Sequence, residues 1–556
     1  MRRDRKKEKK VYIKRLLFIK IFITSIVICL ILRLFYIQVL QHDFYMAEIN
    51  KQRQIQIPIN SGRGIIFDRN LIPLTDRKDQ KVAVIFPQLF AINQESIKLL
   101  EKITKGNGQQ WISRIQNSKY ILEIPVNTEI DWNDKRAMNV PGLFIVDKKQ
   151  RYEDHPLLSH TIGYINQVDK KGLAGVERAM DGILMTNSSQ SLTATVDGRK
   201  HLLPGEGYTI ANNSTKQRDI MLTIDYTIQQ IAEKVMDKKD LKGAVVISDI
   251  KTGEILSIVS RPNYNPNKIV QHINSSGDEL YNKGVQMAFP PGSIFKIILA
   301  AEGLEKGVVD LDDIFYCKGY EEIGDISIKC SVCSLGEAEE ISFKRAFAES
   351  CNSTFIQLGQ ELGAKNIISM ARKAGFGSVI DIGLLEEEAG TLPKDNELLG
   401  PAIGNLSIGQ GNLEVTPLQV NQLTQIIAND GVKKPLFLFK EILVDQHTLE
   451  TFKEKQSSKI LSKGTVNKLQ ELMESVMKNG TGKGVDKLAN NTAGKTGTAQ
   501  SFKKGEAVLH AWFTGYYPVD SPQYSITVLI QEGGYGGAVA VPVFKEILEE
   551  MISQGY

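Results

Sequence analysis

Pro290-Pro291-Gly292-Ser293-Ile294-Phe295-Lys296-Ile297-Ile298-Leu299 is the stretch from which the rest of the chain can be read. Pro-Pro-Gly halts the preceding structure and helix-forming residues follow, which predicts a helix with Ser293 in its first turn. Lys296, three residues on, then shares a face with Ser293 one turn away. A serine hydroxyl is a poor nucleophile until a base takes its proton, and a buried lysine with a lowered pKa can be that base. The helix N-terminus also directs backbone N–H groups at an oxyanion formed there.

Ser-x-x-Lys recurs, as at Ser501-Phe502-Lys503-Lys504, so context has to separate the copies. Downstream of Ser293 lies Ser350-Cys351-Asn352, the one Ser-x-Asn in the chain, between helix-compatible stretches. Ala493-Gly494-Lys495-Thr496-Gly497-Thr498-Ala499 then precedes strand-like sequence, and its small residues let a substrate backbone lie along an edge strand. Lys251-Thr252-Gly253 reads better as the tight turn of a hairpin. Only the later Lys-Thr-Gly completes the order Ser-x-x-Lys, Ser-x-Asn, Lys-Thr-Gly, with spacings of 57 and 145 residues. That order is a signature of penicillin-binding proteins and class A β-lactamases.

At 556 residues, 42% hydrophobic and 24% charged, the chain is long enough for two or three domains and close to globular composition. Its net charge of +4 is uneven: nine Lys or Arg against Asp4 and Glu8 give +7 over residues 1–15, leaving −3 for the remainder. The bulk is not basic, which argues against nucleic acid as a partner. Leu16 to Leu40 is apolar apart from Lys20 and Arg33. A charge at the bilayer centre costs about 2.5 to 3.5 kcal/mol, whereas one near an end snorkels. Placing the span at Leu16 to Tyr36 leaves both charges about one turn from an interface, and at about 1.5 Å per residue it covers the roughly 30 Å of hydrocarbon. The basic flank predicts a cytoplasmic N-terminus, and no small-x-small cleavage site follows the apolar run.

Beyond the anchor, residues 51 to about 215 read as strand-rich with few helical stretches. Ile55, Ile57 and Ile59 alternate, and Asp68-Arg69-Asn70 punctuates a hairpin. Polar sequence from Asp197 to Arg218 marks a boundary. Strand-like sequence then occupies Ala244 to Asp249 and Glu254 to Ser260, followed by long helix-compatible segments. Strands return at Trp512 to Tyr517 and Tyr524 to Gln531, before a helix near Val543 to Met551. Strands early and late with helices between them predict one sheet in an α/β unit.

With these motifs in place the chain resembles a class B penicillin-binding protein, a monofunctional peptidoglycan transpeptidase of the division, elongation or sporulation kind. Arg63-Gly64-Ile65-Ile66-Phe67-Asp68-Arg69-Asn70 and Gly172-Leu173-Ala174-Gly175-Val176-Glu177 are similar to that family's pedestal motifs. Ser407-Ile408-Gly409-Gln410-Gly411 and Val415-Thr416-Pro417-Leu418-Gln419 are similar to its later landmarks. The resemblance implies a basic cytoplasmic tail (1–15), a transmembrane helix (16–36) and a β-rich, non-catalytic pedestal of dimerisation type (41–215). A β-lactamase-like transpeptidase domain (216–556), with helices around a mainly antiparallel sheet, follows. It further implies that Ser293 attacks the D-Ala-D-Ala carbonyl of a stem peptide while Lys296 accepts its proton. Ser350 and Lys495 relay that proton to the departing D-alanine. Asn352 holds the donor amide, and Lys495, Thr496 and Thr498 meet its terminal carboxylate across Gly497. The N–H groups of Ser293 and Thr498 form the oxyanion hole, and an amine from a second stem peptide resolves the acyl-enzyme.

No metal or cofactor is expected, and the seven histidines have no ligand-like spacing. The implied partners are peptidoglycan stem peptides, β-lactam antibiotics and a polytopic glycan-polymerising membrane protein. Thr24, Ser25 and Cys29 offer that protein a small-residue contact on the anchor. Rival readings are a non-catalytic scaffold of a wall-synthesis complex, a D,D-carboxypeptidase and a β-lactamase. A β-lactamase would need a water-activating acid such as Glu386, Glu387 or Glu388, and Cys351 stands where its signature has Asp. Four of the five cysteines fall between Cys317 and Cys351. A disulfide from Cys351 to Cys330 or Cys333 would close a loop of about 20 residues, worth about 3 kcal/mol in the chain-entropy model, and pull on the Ser-x-Asn turn. These three cysteines are therefore candidate redox residues, with a thiol reductase as the implied partner. The alternative is that the cysteines are structural.

Overall fold

The computed structural model describes residues 2–58, 63–87, 90–118, 122–127, 140–154, 156–166, 170–185, 190–195, 208–212, 216–273, 277–324, 326–334, 337–394, 398, 400–453, 455–503 and 505–556. Helix α1 (Arg2–Phe35) continues through a π-helical turn at Tyr36–Leu40. Its stretch Tyr12–Leu40 is long and apolar enough to cross a membrane, and none of it is buried inside the protein. The expected span from Leu16 to Tyr36 lies within it.

The chain forms two compact units. One comprises Met1–Ser61, Asp79–Lys149 and Ser188–Ser214; the other comprises Gly62–Lys78, Gln150–Asn187 and Thr215–Tyr556. In the first, Gln54–Pro58 pairs antiparallel with Gln190–Thr195, which pairs with Tyr208–Asn212, so Ile55 and Ile57 lie opposite Ala194 and Leu192. Ile59 lies outside the described residues. A second sheet places Lys78–Ile85 between Leu122–Pro125 and Leu143–Gln150. Two helices not anticipated by the strand-rich reading, Gln94–Thr104 and Gly108–Asn117, are opened by the side chains of Asn93 and Asn107, which accept N–H groups of the first turn. Leu100, Ile103 and Ile115 pack with Ala83, Ile85, Ile124 and Leu143. The helical period of those apolar residues, with caps ahead of them, is the signal that strand counting passed over.

The second unit holds a five-stranded antiparallel sheet beside a four-stranded one that includes Ile66–Phe67 and Asp219–Leu222; the five-stranded sheet carries the site. Its strands are β1 (Gly243–Asp249), β2 (Ile255–Arg261), β3 (Ala493–Lys503), β4 (Glu506–Tyr517) and β5 (Tyr524–Ile530), in the order β2-β1-β5-β4-β3. The β1–β2 hairpin turns at Lys251-Thr252-Gly253: Asp249 Oδ1 accepts from the N–H groups of Lys251 and Thr252, and Gly253 has φ of 80°. The helices used below are α2 (Tyr226–Lys238), α3 (Lys296–Lys306), α4 (Phe343–Glu349), α5 (Asn352–Leu362), α6 (Pro417–Ala428), α7 (Lys463–Asn479) and α8 (Gly536–Ser553).

Successive residues of a strand face opposite ways, so Phe513 and Thr514 on β4 report the two faces of the sheet. The Phe513 ring packs on Phe544 of α8 with centroids 4.5 Å apart, while Thr514 Oγ1 lies 2.6 Å from Thr424 Oγ1 of α6. Helices therefore cover both faces, which is why β1, β2 and β5 are buried along nearly their whole length and lack a clean alternation. Helix α8 begins well before the expected Val543 and carries Pro542 inside it. Burial of Ala540, Val541, Val543 and Phe544 offsets the hydrogen bond that proline removes.

The two pedestal-like motifs meet within this second unit. Arg63 Nε pairs with Glu177 Oε2, Arg63 also reaches Asp181 at 2.7 Å, and Arg151 Nε and the Tyr152 hydroxyl hold Glu177 Oε1 at 2.8 and 2.7 Å. Glu177 is fully buried, yet these cations keep its pKa below the ordinary carboxylate value against the opposing effect of burial. The Asp68-Arg69-Asn70 segment forms the expected turn: Asp68 Oδ1 accepts from Asn70 N and Ile72 N at 2.8 and 2.7 Å.

Candidate active site

Pro-Pro-Gly leads into a 3₁₀ turn at Gly292–Phe295, from which α3 starts at Lys296. Ser293 thus lies one tight turn ahead of the α-helix rather than inside its first turn. The turn is gripped by backbone on two sides. Gly292 has φ of 52°, and a Cβ on it would meet the Thr498 carbonyl of β3 at 2.4 Å; a Cβ on Gly409, with φ of 72°, would meet the Gly292 carbonyl at 2.0 Å. Gly292 N donates to Gly409 O at 2.9 Å, and Trp512 Nε1 donates to Pro290 O at 3.0 Å. Only glycine tolerates such approaches at left-handed φ. The outcome is a half-buried Ser293 between β3 and the 407–411 loop.

Lys296 is fully buried at the start of α3. Its Nζ donates to Ser350 O at 2.7 Å, Asn352 Oδ1 at 2.7 Å and Ser350 Oγ at 3.3 Å. Lys495, also fully buried, reaches in from β3 and donates to Ser350 Oγ at 3.0 Å. Ser350 Oγ therefore lies between two ammonium groups. Burial lowers the Lys296 pKa to about 8, with Cys351 and Cys330 opposing it. Burial also drives Lys495 well below its ordinary value, and the charge on Lys296 adds to that effect. The faces of Phe355 and Phe347 lie 5.5 Å from the two ammoniums. The Ser293 hydroxyl is not among the hydrogen-bond partners of Lys296 Nζ; such catalytic contacts commonly tighten only when substrate is bound.

The middle motif is the join of two helices. Ser350, with φ of 65°, ends α4 in the left-handed conformation, and Cys351 caps α5, its sulfur accepting from Thr354 N at 3.5 Å. Asn352 opens α5 and donates to Lys329 O at 3.0 Å. Thr496 Oγ1 lies 2.5 Å from Thr481 Oγ1, and Thr498 Oγ1 accepts from Gly536 N at 3.2 Å. With its amide oriented to satisfy both atoms, Gln410 donates to Gln500 O at 3.2 Å and accepts from Gln500 N at 3.3 Å. Gln500 thus directs its backbone outward from the sheet edge, and at a period of two Thr498 directs its N–H the same way, toward the Ser293 turn. Of the residues that matter here, Thr481 and Lys329 carried no sequence signal, because only tertiary packing brings them to the motifs.

Cys330 Sγ lies 3.6 Å from Cys351 Sγ, and Cys317 and Cys333 pack in the same buried cluster. The sulfurs of Cys317, Cys330 and Cys351 are within 4.8 Å of one another and all three residues are buried. This trio could hold a thiophilic metal ion as well as form a disulfide. It is a ligand set that histidine spacing could not reveal, and it qualifies the expectation that no metal is involved. The Ser-x-x-Lys at Ser501 is less favoured by its surroundings: Ser501 pairs with Val508 on the β3–β4 hairpin, and Lys504 lies outside the described residues. The carboxylates of Glu386 and Glu387 are held by other partners, while Glu388 is fixed through its backbone. Glu387 accepts from Asp381 N and Ile382 N, Glu386 reaches Arg178, and Glu388 N donates to Val285 O.

The family described as the penicillin-binding protein transpeptidase domain matches residues 243–549, and the penicillin-binding protein dimerisation domain matches residues 58–200. The chain is 29% identical to the peptidoglycan D,D-transpeptidase MrdA of Acinetobacter baumannii over 98% of its own length and 88% of the relative's. It is 27% identical to stage V sporulation protein D of Bacillus subtilis, over 97% and 86%. A chain from a structure titled for the coordination of polymerization and crosslinking by a peptidoglycan synthase complex superposes with a TM-score of 0.70 at 22% identity, covering 96% of this chain and 98% of that one. With the transpeptidase match spanning more than half of its length and the three motifs gathered around Ser350, the chain belongs to the class B penicillin-binding proteins.

Proposed function

We propose that this protein is a peptidoglycan D,D-transpeptidase that works through an acyl-enzyme on Ser293, and that penicillins acylate the same oxygen. The observation that carries the reading is Ser350 Oγ held at 3.3 Å by Lys296 and 3.0 Å by Lys495, beside the serine turn. Lys296, unprotonated, takes the Ser293 proton as Oγ bonds to the penultimate carbonyl carbon of the donor. The oxyanion is met by the N–H groups of Ser293 and Thr498. As the C–N bond breaks, the proton passes from Lys296 through Ser350 toward Lys495 and the departing D-alanine amine. Asn352 holds the donor amide, while Lys495 and the hydroxyls of Thr496 and Thr498, lying across Gly497, face the terminal carboxylate. Attack by an amine of a second stem peptide frees Ser293 and forms the cross-link. A β-lactamase is disfavoured because the carboxylates of Glu386 and Glu387 are engaged elsewhere.

The proposal extends to location and partners. Helix α1 crosses the plasma membrane with its basic end in the cytoplasm, in accord with the positive-inside rule, so the chain beyond the helix lies outside. A polytopic glycan-polymerising protein is its partner there, a reading supported by the synthase complex to which the fold is similar. The division at about residue 215 into pedestal and transpeptidase domains is supported by the two family matches on either side of it.

A second reading concerns the thiols and is favoured by the 3.6 Å approach of Cys330 to Cys351. Loss of two protons and two electrons to an extracytoplasmic disulfide acceptor would join these sulfurs and draw Ser350 and Asn352 from position. A membrane-attached thiol reductase would return both protons and electrons.

Benzylpenicillin should add one covalent penicilloyl group to the wild type and none to Ser293→Ala by intact-mass measurement; an adduct on Ser501 would sink the assignment. The acylation rate should rise with pH up to about 8, where Lys296 loses its proton, and level off above it. Lys296→Ala should lower it by about 10²- to 10⁴-fold. A profile flat across that range would remove Lys296 as the base. A version beginning at Gln41 should fail to support wall synthesis in cells lacking the full chain, and normal growth with it would make the anchor dispensable. Oxidised protein with a mapped Cys330–Cys351 disulfide should acylate about 10²-fold more slowly than reduced protein, since a shift of about 1 Å in positioned groups costs that much. Equal rates in the two states would leave these cysteines structural.

A further inference from the structure

The loop carrying Gly409 also reaches the free edge of the sheet. Strand β3 is the edge, and it stays paired with β4 from Ala493 opposite Tyr516 to Lys503 opposite Glu506. An edge of that length offers an outward N–H and C=O at every second residue, Thr498, Gln500 and Phe502 among them. Phe502 is 73% exposed. Left bare, this edge would let an extended peptide pair from Thr498 onward.

At Gln500 the edge is not bare. The Gln410 side chain donates to its carbonyl and accepts from its N–H, at 3.2 and 3.3 Å. A primary amide sets one donor beside one acceptor, as one residue of a neighbouring strand does, so Gln410 occupies the place of a single strand residue. Its backbone is fixed in turn: Gln410 N donates to Asn405 O at 2.8 Å, and the preceding Gly409 is bound to the serine turn. The polarity of a bound donor follows from charge. Its terminal carboxylate faces Lys495 and Thr496, so its N-terminal side runs toward Gln500, antiparallel to β3. In that register Thr498 meets the attacked residue, and Gln500 is the next edge position, reserved for the residue two places upstream.

We propose that Gln410 is a specificity-determining residue that ends the pairing of the acyl donor with β3 at Thr498. The amide holds the hydrogen-bonding groups that the upstream part of the stem peptide would otherwise use, so that part leaves the strand. The inference rests on the acyl-transfer reading above and adds to it where the donor site stops.

The experiment compares the wild type with Gln410→Ala and with Gln410→Glu, a near-isostere that cannot donate to the Gln500 carbonyl. Three readouts are taken: benzylpenicillin acylation, D-alanine release from short acyl-D-Ala-D-Ala donors, and the same release from whole pentapeptide stems. In both variants penicillin acylation and turnover of short donors should stay within about twofold of wild type. The ratio of kcat/KM for pentapeptide over short donors should rise about five- to tenfold, through KM, as one or two hydrogen bonds become available at the vacated edge. Equal losses for penicillin, short and long donors would overturn the proposal and make Gln410 a support of the serine turn. An unchanged ratio in both variants would overturn it as well. Failure of the acyl-transfer reading would look different, as wild-type protein that takes up no penicillin on Ser293.

Discussion

The active site depends on a close approach of backbones that only glycine permits. Gly292 is pressed between the carbonyl of Thr498 and the loop at Gly409, and a methyl group at either glycine would overlap a carbonyl oxygen. Because both contacts are to main chain, they hold Ser293 whatever side chains surround it. Rigid placement of this kind is what a nucleophile needs, since a small misplacement costs rate steeply. The same contacts join three parts of the chain that are distant in sequence: the serine turn, the edge strand and the 407–411 loop.

Around this grip the unit buries two lysines beside each other, an arrangement that costs free energy unless the charge is shared or lost. Ser350 is the shared acceptor, supported by the Asn352 amide oxygen and the Ser350 carbonyl. Desolvation lowers both pKa values, and mutual repulsion lowers that of Lys495 further. The left-handed Ser350 at the end of α4 allows α5 to start immediately, so its hydroxyl, the Cys351 sulfur and the Asn352 amide leave one turn in three directions. Cys351, a member of the cysteine cluster, is thus part of the same turn as Ser350 and Asn352.

Much of this was legible in the sequence. The apolar run became a helix of spanning length, Lys251-Thr252-Gly253 a hairpin turn, and the three motifs one cluster. Sequence reading missed the helices at 94–104 and 108–117, and the helix it expected at Ser293 opens as a 3₁₀ turn before becoming an α-helix at Lys296. It also started α8 too late: the helix begins at Gly536, and Pro542 is an interior residue tolerated by burial on the sheet.

What the sequence determined by itself is chemistry carried by neighbours: a serine and a lysine one turn apart, small residues on a strand, an uninterrupted apolar segment, the order of motifs along the chain. Those features depend on backbone periodicity and on residues within a few positions of one another. Which cysteine meets Cys351, that Lys296 reaches Ser350 and Asn352, that Arg63 closes on Glu177, and that Gln410 covers Gln500 were decided only by the tertiary structure. The partners of those contacts lie from about 20 to more than 100 residues apart, and no local propensity encodes them. They exist because burying both faces of one sheet fixes where each turn and strand edge must fall.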